Sequence, residues 1–254
     1  MNNTTWIAGT PRTGSMLSFN ITREIFRING RNIKPLQVPQ SDQEMLSCFS
    51  TEANSDVNPS NQYIFKVHTI LKTDLPKSKY VVNIRNPFDI CASFYQFMKC
   101  DINHAINVAK GHSSVIKHYQ NCADNQIMFV RFEDLEKNLA STIEKIASFL
   151  DINLDIILAN KISSKFSKSS VSRLIDKTTK NLEEKISLNQ LIKDESIVRI
   201  SANNYRAFDV NTGFQTGHIS NRNSGEWYKL FNQKEIRIIK SELLEHAEQL
   251  GYQY

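Results

Sequence analysis

The segment Thr5-Trp6-Ile7-Ala8-Gly9 is a short apolar run that stops at a polar loop, Thr10-Pro11-Arg12-Thr13-Gly14-Ser15. Beyond the loop, Leu17, Ile21, Ile25 and Ile28 recur at helical spacing, which predicts a strand, a tight loop and a helix. Residues 29–61 are polar and broken by prolines, so a loop with one short helix near Gln43–Cys48 is expected there. Tyr63–His68 and Tyr80–Arg85 are rich in β-branched and aromatic residues and read as two further strands. Asn86-Pro87 then pairs a capping side chain with proline at the first helical position, predicting a helix to about Met98. A second helix is expected from Asn103 to Cys122, and Ile127–Arg131 forms a fourth strand. Leu139, Ile143, Ile146, Ala147 and Leu150 mark an amphipathic helix, and Ile236, Ile239, Leu243, Ala247 and Leu250 mark the last one. Strands separated by helices imply a three-layer α/β fold, a central parallel sheet with helices on both faces.

Between Lys161 and Arg206 the chain turns rich in Ser, Lys and Asn, and its periodicity weakens. Mixed short helices and a mobile cover over the active face are expected in 161–206, not a second domain. The 254 residues suffice for one large α/β domain, and no internal repeat is visible.

Net charge is +5, which suits an anionic ligand. The basic residues are scattered and no aromatic ladder accompanies them, which argues against nucleic acid as a partner. Cys48, Cys91, Cys100 and Cys122 form no C-x-x-C pair and make no metal-ligand spacing with the six histidines, so reduced thiols and no metal are expected. The first apolar strand begins within six residues of Met1, and no apolar run approaches membrane-spanning length. A soluble, cytoplasmic protein is the expectation.

Gly9-x-x-x-x-Gly14, between strand and helix, is the skeleton of a phosphate-binding loop, whose curled backbone N–H groups and helix N-terminus attract an anion. In a Walker A loop a lysine and a magnesium-binding hydroxyl follow the second glycine. Here Ser15 and Met16 follow Gly14, and the cation lies inside the loop at Arg12. That argues against a magnesium nucleoside triphosphate site, since an arginine fork can neutralise phosphate without metal. A glycine turn without function remains the alternative while the loop stands alone.

Four further segments accompany it. Gly9-Thr10-Pro11-Arg12-Thr13-Gly14-Ser15 resembles the 5'-phosphosulfate loop of sulfotransferases that use PAPS (3'-phosphoadenosine 5'-phosphosulfate). Arg85 at a strand end with Ser93 eight residues on is similar to the family's 3'-phosphate motif. Lys66-Val67-His68 resembles the Lys-Thr-His segment that carries its catalytic base, and Phe132-Glu133-Asp134-Leu135 its Tyr-Glu-Asp segment. Gly225-Glu226-Trp227 with Lys229 resembles its C-terminal Gly-Asp-Trp-Lys. The five fall in the family's order, from residue 5 to about 230.

The resemblance implies a P-loop nucleoside triphosphate hydrolase-like fold and metal-free transfer of a sulfuryl group from PAPS, releasing PAP, to an acceptor hydroxyl or amine. It assigns His68 as general base, with Lys66 and Arg12 on the charge developing at the leaving phosphate. It places Arg12, Thr13, Gly14, Ser15 and Met16 around the 5'-phosphosulfate, Arg85 and Ser93 on the 3'-phosphate, and Phe132 near adenine. Where the family has Arg-Lys-Gly, this chain has Ser220-Asn221-Arg222, so Arg222 alone is carried over. The acceptor is expected to be a small molecule, lipid or glycan, and the oligomeric state stays open. On the residues themselves, His68 stands out because Lys66, two positions earlier on a strand, shares its face. The other five histidines are expected to be hydrogen-bonded core or surface residues. A P-loop kinase of a small metabolite or nucleoside is the competing activity, and a non-catalytic nucleotide-binding protein the competing class.

Overall fold

The computed structural model describes residues 4–53, 58–71, 78–122, 126–187, 197–201 and 204–253. Five strands form one parallel sheet: β1 (Thr4–Ala8), β2 (Asn32–Lys34), β3 (Asn61–Val67), β4 (Lys79–Ile84) and β5 (Ile127–Arg131), in the order β2-β3-β1-β4-β5. The order reverses at β1, so the carboxyl ends of β1, β3 and β4 open onto one crevice, the place where such sheets bind ligands. Trp6, Ile7, Ile64, Phe65, Val81 and Val82 are fully buried, which explains why these strands read as unbroken apolar runs.

Two groups of helices flank the sheet. In one, α1 (Ser15–Ile28), α6 (Leu139–Phe149) and α7 (Ile156–Lys165) pack on one another, with α1 crossing β1, β3 and β4. In the other, α3 (Pro87–Met98), α4 (Ile102–Asn121) and α9 (Gln233–Gln249) share an apolar cluster built around Phe88, Ile90, Ile106, Trp227 and Leu243. This is the expected class of parallel sheet with surrounding helices. The Asn86 side chain accepts from the Phe88 N–H and so starts α3 at Pro87, as its sequence predicts.

Five elements differ from expectation. The edge strand β2 lies within the segment read as loop, because three residues with one buried side chain (Ile33) carry no visible period. A short helix α5 (Phe132–Lys137) precedes α6. Within 161–206, α8 (Lys168–Ser187) is one helix of 20 residues, not several short ones, and β6 (Ile197–Ser201) pairs antiparallel with β7 (Asn204–Ala207). Part of the expected cover, residues 188–196 and 202–203, lies outside the described residues.

Candidate active site

The loop between β1 and α1 is closed by its own side chains. Thr13 Oγ1 donates to the Thr10 carbonyl at 2.8 Å, and a Cβ on Gly9 would meet that same Oγ1 at 2.7 Å. Gly14 caps α1 in the left-handed region (φ 85°), and a Cβ there would lie 2.7 Å from the Phe132 ring. Arg12 also has φ 74°, a conformation that costs a non-glycine residue roughly 1–3 kcal/mol. The Arg85 guanidinium holds it there, donating to the Arg12 carbonyl at 2.8 Å. Gly14 O accepts from the Leu17 and Ser18 N–H groups, which leaves the N–H groups of Ser15 and Met16 as the free positive end of α1. Thr13 and Met16 direct their side chains elsewhere: Thr13 inward, Met16 against Gly213.

The loop arginine draws the site together. Arg12 Nε donates to Ser93 Oγ at 2.9 Å, Arg12 Nη2 donates to the His218 carbonyl at 2.9 Å, and its guanidinium stacks on Phe97. Arg12 and Arg85 therefore meet at the loop, with Ser93 of α3 on the same side. Burial pushes the Arg12 pKa down to about 9, and the like charges of Arg85, Arg206 and Arg222 contribute to the fall. Arg85 is buried with its guanidinium 3.8 Å from the centre of the Phe132 ring, and its Nε has no hydrogen-bond partner. The Asp89 carboxylate is the first of the charges that offset this burial, and it also accepts from the Gly225 N–H at 2.8 Å.

Lys66 and His68, at the carboxyl end of β3, are in direct contact. His68 Nδ1 lies 2.7 Å from the Gly9 carbonyl, which can only accept, so Nδ1 carries the proton and Nε2 the lone pair. Lys66 Nζ donates to that lone pair at 3.0 Å. Asp42, at the start of α2 (Asp42–Cys48), accepts from the backbone N–H groups of His68 and Thr69 and fixes the strand end. Burial and then the Lys66 ammonium push the His68 pKa down to about 4. Burial lowers Lys66 to about 8, against the opposing pull of Asp42. At neutral pH the pair is a neutral imidazole beside an ammonium.

Two of the histidines expected to be hydrogen-bonded core or surface residues lie beside this site. His112, fully buried on α4, accepts from the Arg85 N–H at Nε2 (3.2 Å) and donates from Nδ1 to Thr10 Oγ1 (2.9 Å). It ties the loop to the end of β4, and burial lowers its pKa to about 3. His218 accepts at Nδ1 from the Gln215 N–H, which places its proton on Nε2. Burial pushes its pKa well down, and so do the charges of Arg12 and Lys66. A histidine among Ala105, Ala109, Val115 and Ile116 on one helix stripe was the available sign for His112. Nothing local marked His218, whose place depends on the chain returning from β7.

The C-terminal segment docks on the start of α3. Trp227 stacks on Phe88 with ring centres 4.8 Å apart, and Gly225 bonds Asp89. This brings Arg222 near Arg12. Glu133 accepts from the Asn86 N–H and from the Tyr252 hydroxyl, so the Phe-Glu-Asp segment braces the same corner.

Comparison with known proteins agrees with this arrangement. A family model described as the sulfotransferase domain matches residues 2–250. Human sulfotransferase 4A1 is 27% identical over 94 residues, 31% of this chain and about a third (33%) of that protein. Mouse sulfotransferase SULT7A1, solved in complex with PAP, superposes with a TM-score of 0.60 at 14% identity, over 99% of this chain and 89% of that one. Retinol dehydratase in complex with androsterone and inactive cofactor PAP gives a TM-score of 0.61 at 13% identity, over 99% and 82%. With the matched region running from before β1 to the end of α9, and the loop, strand-end and C-terminal motifs assembled in one crevice, the chain belongs to the sulfotransferase family.

Proposed function

We propose that this protein transfers a sulfuryl group from PAPS to a hydroxyl or amine of a small acceptor, with His68 as general base and without a metal. One observation carries the reading. Arg12 is surrounded by Arg85, Arg206 and Arg222, its pKa is lowered, and it has no carboxylate partner among the described residues. Asp89, Glu133 and Glu226 offset Arg85 and Arg222, but no acid offsets Arg12 or Arg206, and a donor with a 5'-phosphosulfate and a 3'-phosphate supplies two anions to the cluster. The unpartnered Nε of buried Arg85 is a further donor waiting for an oxygen.

In this reading the free N–H groups at the start of α1 and the Arg12 fork hold the 5' end. Arg85, Ser93 and Arg222 hold the 3'-phosphate. His68 keeps an unprotonated Nε2 well below neutral pH and accepts the acceptor's proton there. To do so it must exchange its Lys66 partner for the acceptor, which frees the Lys66 ammonium for charge building on the leaving phosphate. Cations fixed on developing charge are worth about 3–4 kcal/mol each in a site closed to water. Arg12 and Lys66 supply that charge from the protein itself, which is why no metal is assigned. His68→Ala should abolish most turnover of labelled PAPS while calorimetry still shows PAP binding. Unchanged turnover would remove His68 as the base.

A further inference from the structure

His218, on the turn that follows β7, is joined directly to the loop arginine. Arg12 Nη2 donates to its carbonyl at 2.9 Å, while Arg12 Nε holds Ser93. The His218 ring packs beside Phe97 and Phe214, with ring centres 5.4 Å and 6.3 Å away. The Gln215 N–H donates to Nδ1 at 3.2 Å, so Nδ1 keeps its lone pair and the ring is neutral, with its proton on Nε2. An imidazolium would carry a proton on both nitrogens and lose that bond. The Nε2–H, across the ring from Gln215, makes no hydrogen bond among the described residues, and His218 is only partly buried. Burial acts most on this ring, and after it come Arg12, Lys66, Arg206 and His68 in that order. The imidazole therefore lies among the groups of the proposed donor site and base.

We infer that His218 contacts the donor's sulfuryl group, its neutral Nε2–H donating to a sulfuryl oxygen. The inference rests on the PAPS reading above, in which Arg12 takes the 5'-phosphosulfate and Lys66 the charge of the leaving phosphate. A residue whose carbonyl is bonded to Arg12, and whose ring feels Lys66 more than His68, lies on the donor side of the reacting centre. During transfer the acceptor oxygen bonds to sulfur as its proton passes to His68 Nε2. The bond from sulfur to the phosphate oxygen breaks, and its electron pair stays on the leaving phosphate. His218 keeps its proton throughout; its part is to hold the sulfuryl oxygens so that sulfur faces the acceptor in line. A neutral donor suits that part, because Arg12, Lys66 and Arg206 already crowd the ring with positive charge and one more cation would be disfavoured. Phe97, Phe214 and Gln215 fix the orientation of the ring, so the contact forms at little entropic cost.

PAPS and PAP differ by the sulfuryl group alone, so the contact is read as the difference between their affinities, with no acceptor required. Both are titrated into the full chain by calorimetry at low temperature. His218→Phe, which keeps a flat ring but no donor, should weaken PAPS about 10-fold and leave PAP within about twofold, as expected for a charge-assisted hydrogen bond. His218→Gln, whose amide still donates, should recover most of that loss. Equal weakening of PAPS and PAP would make His218 a packing residue and overturn the inference. So would an unchanged PAPS affinity, or a Gln variant as weak as the Phe one. Should His218→Phe fail to fold, the unaltered protein decides the matter through its His218 Nε2 nitrogen-15 resonance, assigned with His218→Gln. That resonance should move clearly more with PAPS than with PAP, and equal movements overturn the inference. Failure of the unaltered protein to bind either nucleotide would refute the donor reading itself.

Discussion

Replacing Lys66 by methionine removes one charge beside His68 while keeping the buried aliphatic stem, so it isolates the electrostatic part of how the base is tuned. In the native pair the His68 pKa is about 4, against an ordinary 6.5, with burial the larger cause and the Lys66 ammonium the next. At 1.36 kcal/mol per unit, the net shift disfavours the imidazolium by about 3 kcal/mol, with the Gly9 carbonyl and Asp42 pulling the other way. Lys66, itself near 8, stays charged throughout the range in which His68 titrates. The Lys66→Met variant leaves burial in place, so His68 should rise but stop short of 6.5. Nitrogen-15 chemical shifts of the imidazoles, followed from pH 3 to pH 8 in nucleotide-free protein and assigned with His68→Ala, measure this directly. They also report the tautomer, which should be the Nδ1–H form in both proteins because the Gly9 carbonyl accepts from Nδ1. A native His68 that titrates at or above 6.5, or one unmoved by Lys66→Met, would refute the coupling.

His68, His112 and His218 are all depressed below the unfolded value of about 6.5, so the unfolded chain takes up protons first as pH falls. Their contribution to stability is present above pH 6.5 and is lost as pH falls, down to about 4 for His68 and about 3 for His112, at roughly 1.4 kcal/mol per pH unit for each group while it applies. The urea midpoint should therefore drop clearly between pH 7.5 and pH 5, and a flat profile would contradict the buried neutral histidines. Gly14→Ala should destabilise by about 1–3 kcal/mol and weaken PAP, because alanine meets both the left-handed backbone and the Phe132 ring. Gly30→Ala, at a similar φ of 76° but in open space, should lose only the backbone part, and equal losses at the two sites would show that the Phe132 contact is unimportant.

Most of the sheet was legible because its strands are buried on both faces and so stand out as apolar runs bounded by polar loops. The loop and its internal cation, the Lys66/His68 pair, and Arg85 with Ser93 were legible because each sits at the end of such a strand or one helix further on. What escaped the sequence depends on distant segments meeting. His112 reads as one more residue of a buried helix stripe until Thr10 and the Arg85 backbone are seen on either side of its ring. Arg206 and His218 lie in a stretch with weak periodicity, and they reach the site only because β7 and the following turn fold back over α3. The length of α8 was hidden for a related reason: a polar helix with few buried residues offers little apolar period to read. Asp42 stands just before the short helix expected at Gln43–Cys48 and nothing in the sequence marks it, yet its carboxylate holds the strand end that carries the base.

The central claim, that a metal-free arginine cradle grips a nucleotide with a 3'-phosphate, is tested most directly by calorimetric titration of PAP in the presence of a chelator. The account predicts saturable binding, weakened by about 10-fold or more in Arg12→Gln and in Arg85→Gln, since each removes charge-assisted hydrogen bonds worth about 1.5–3 kcal/mol. Binding that requires magnesium, a preference for ATP over PAP, or an affinity indifferent to both arginines would contradict it.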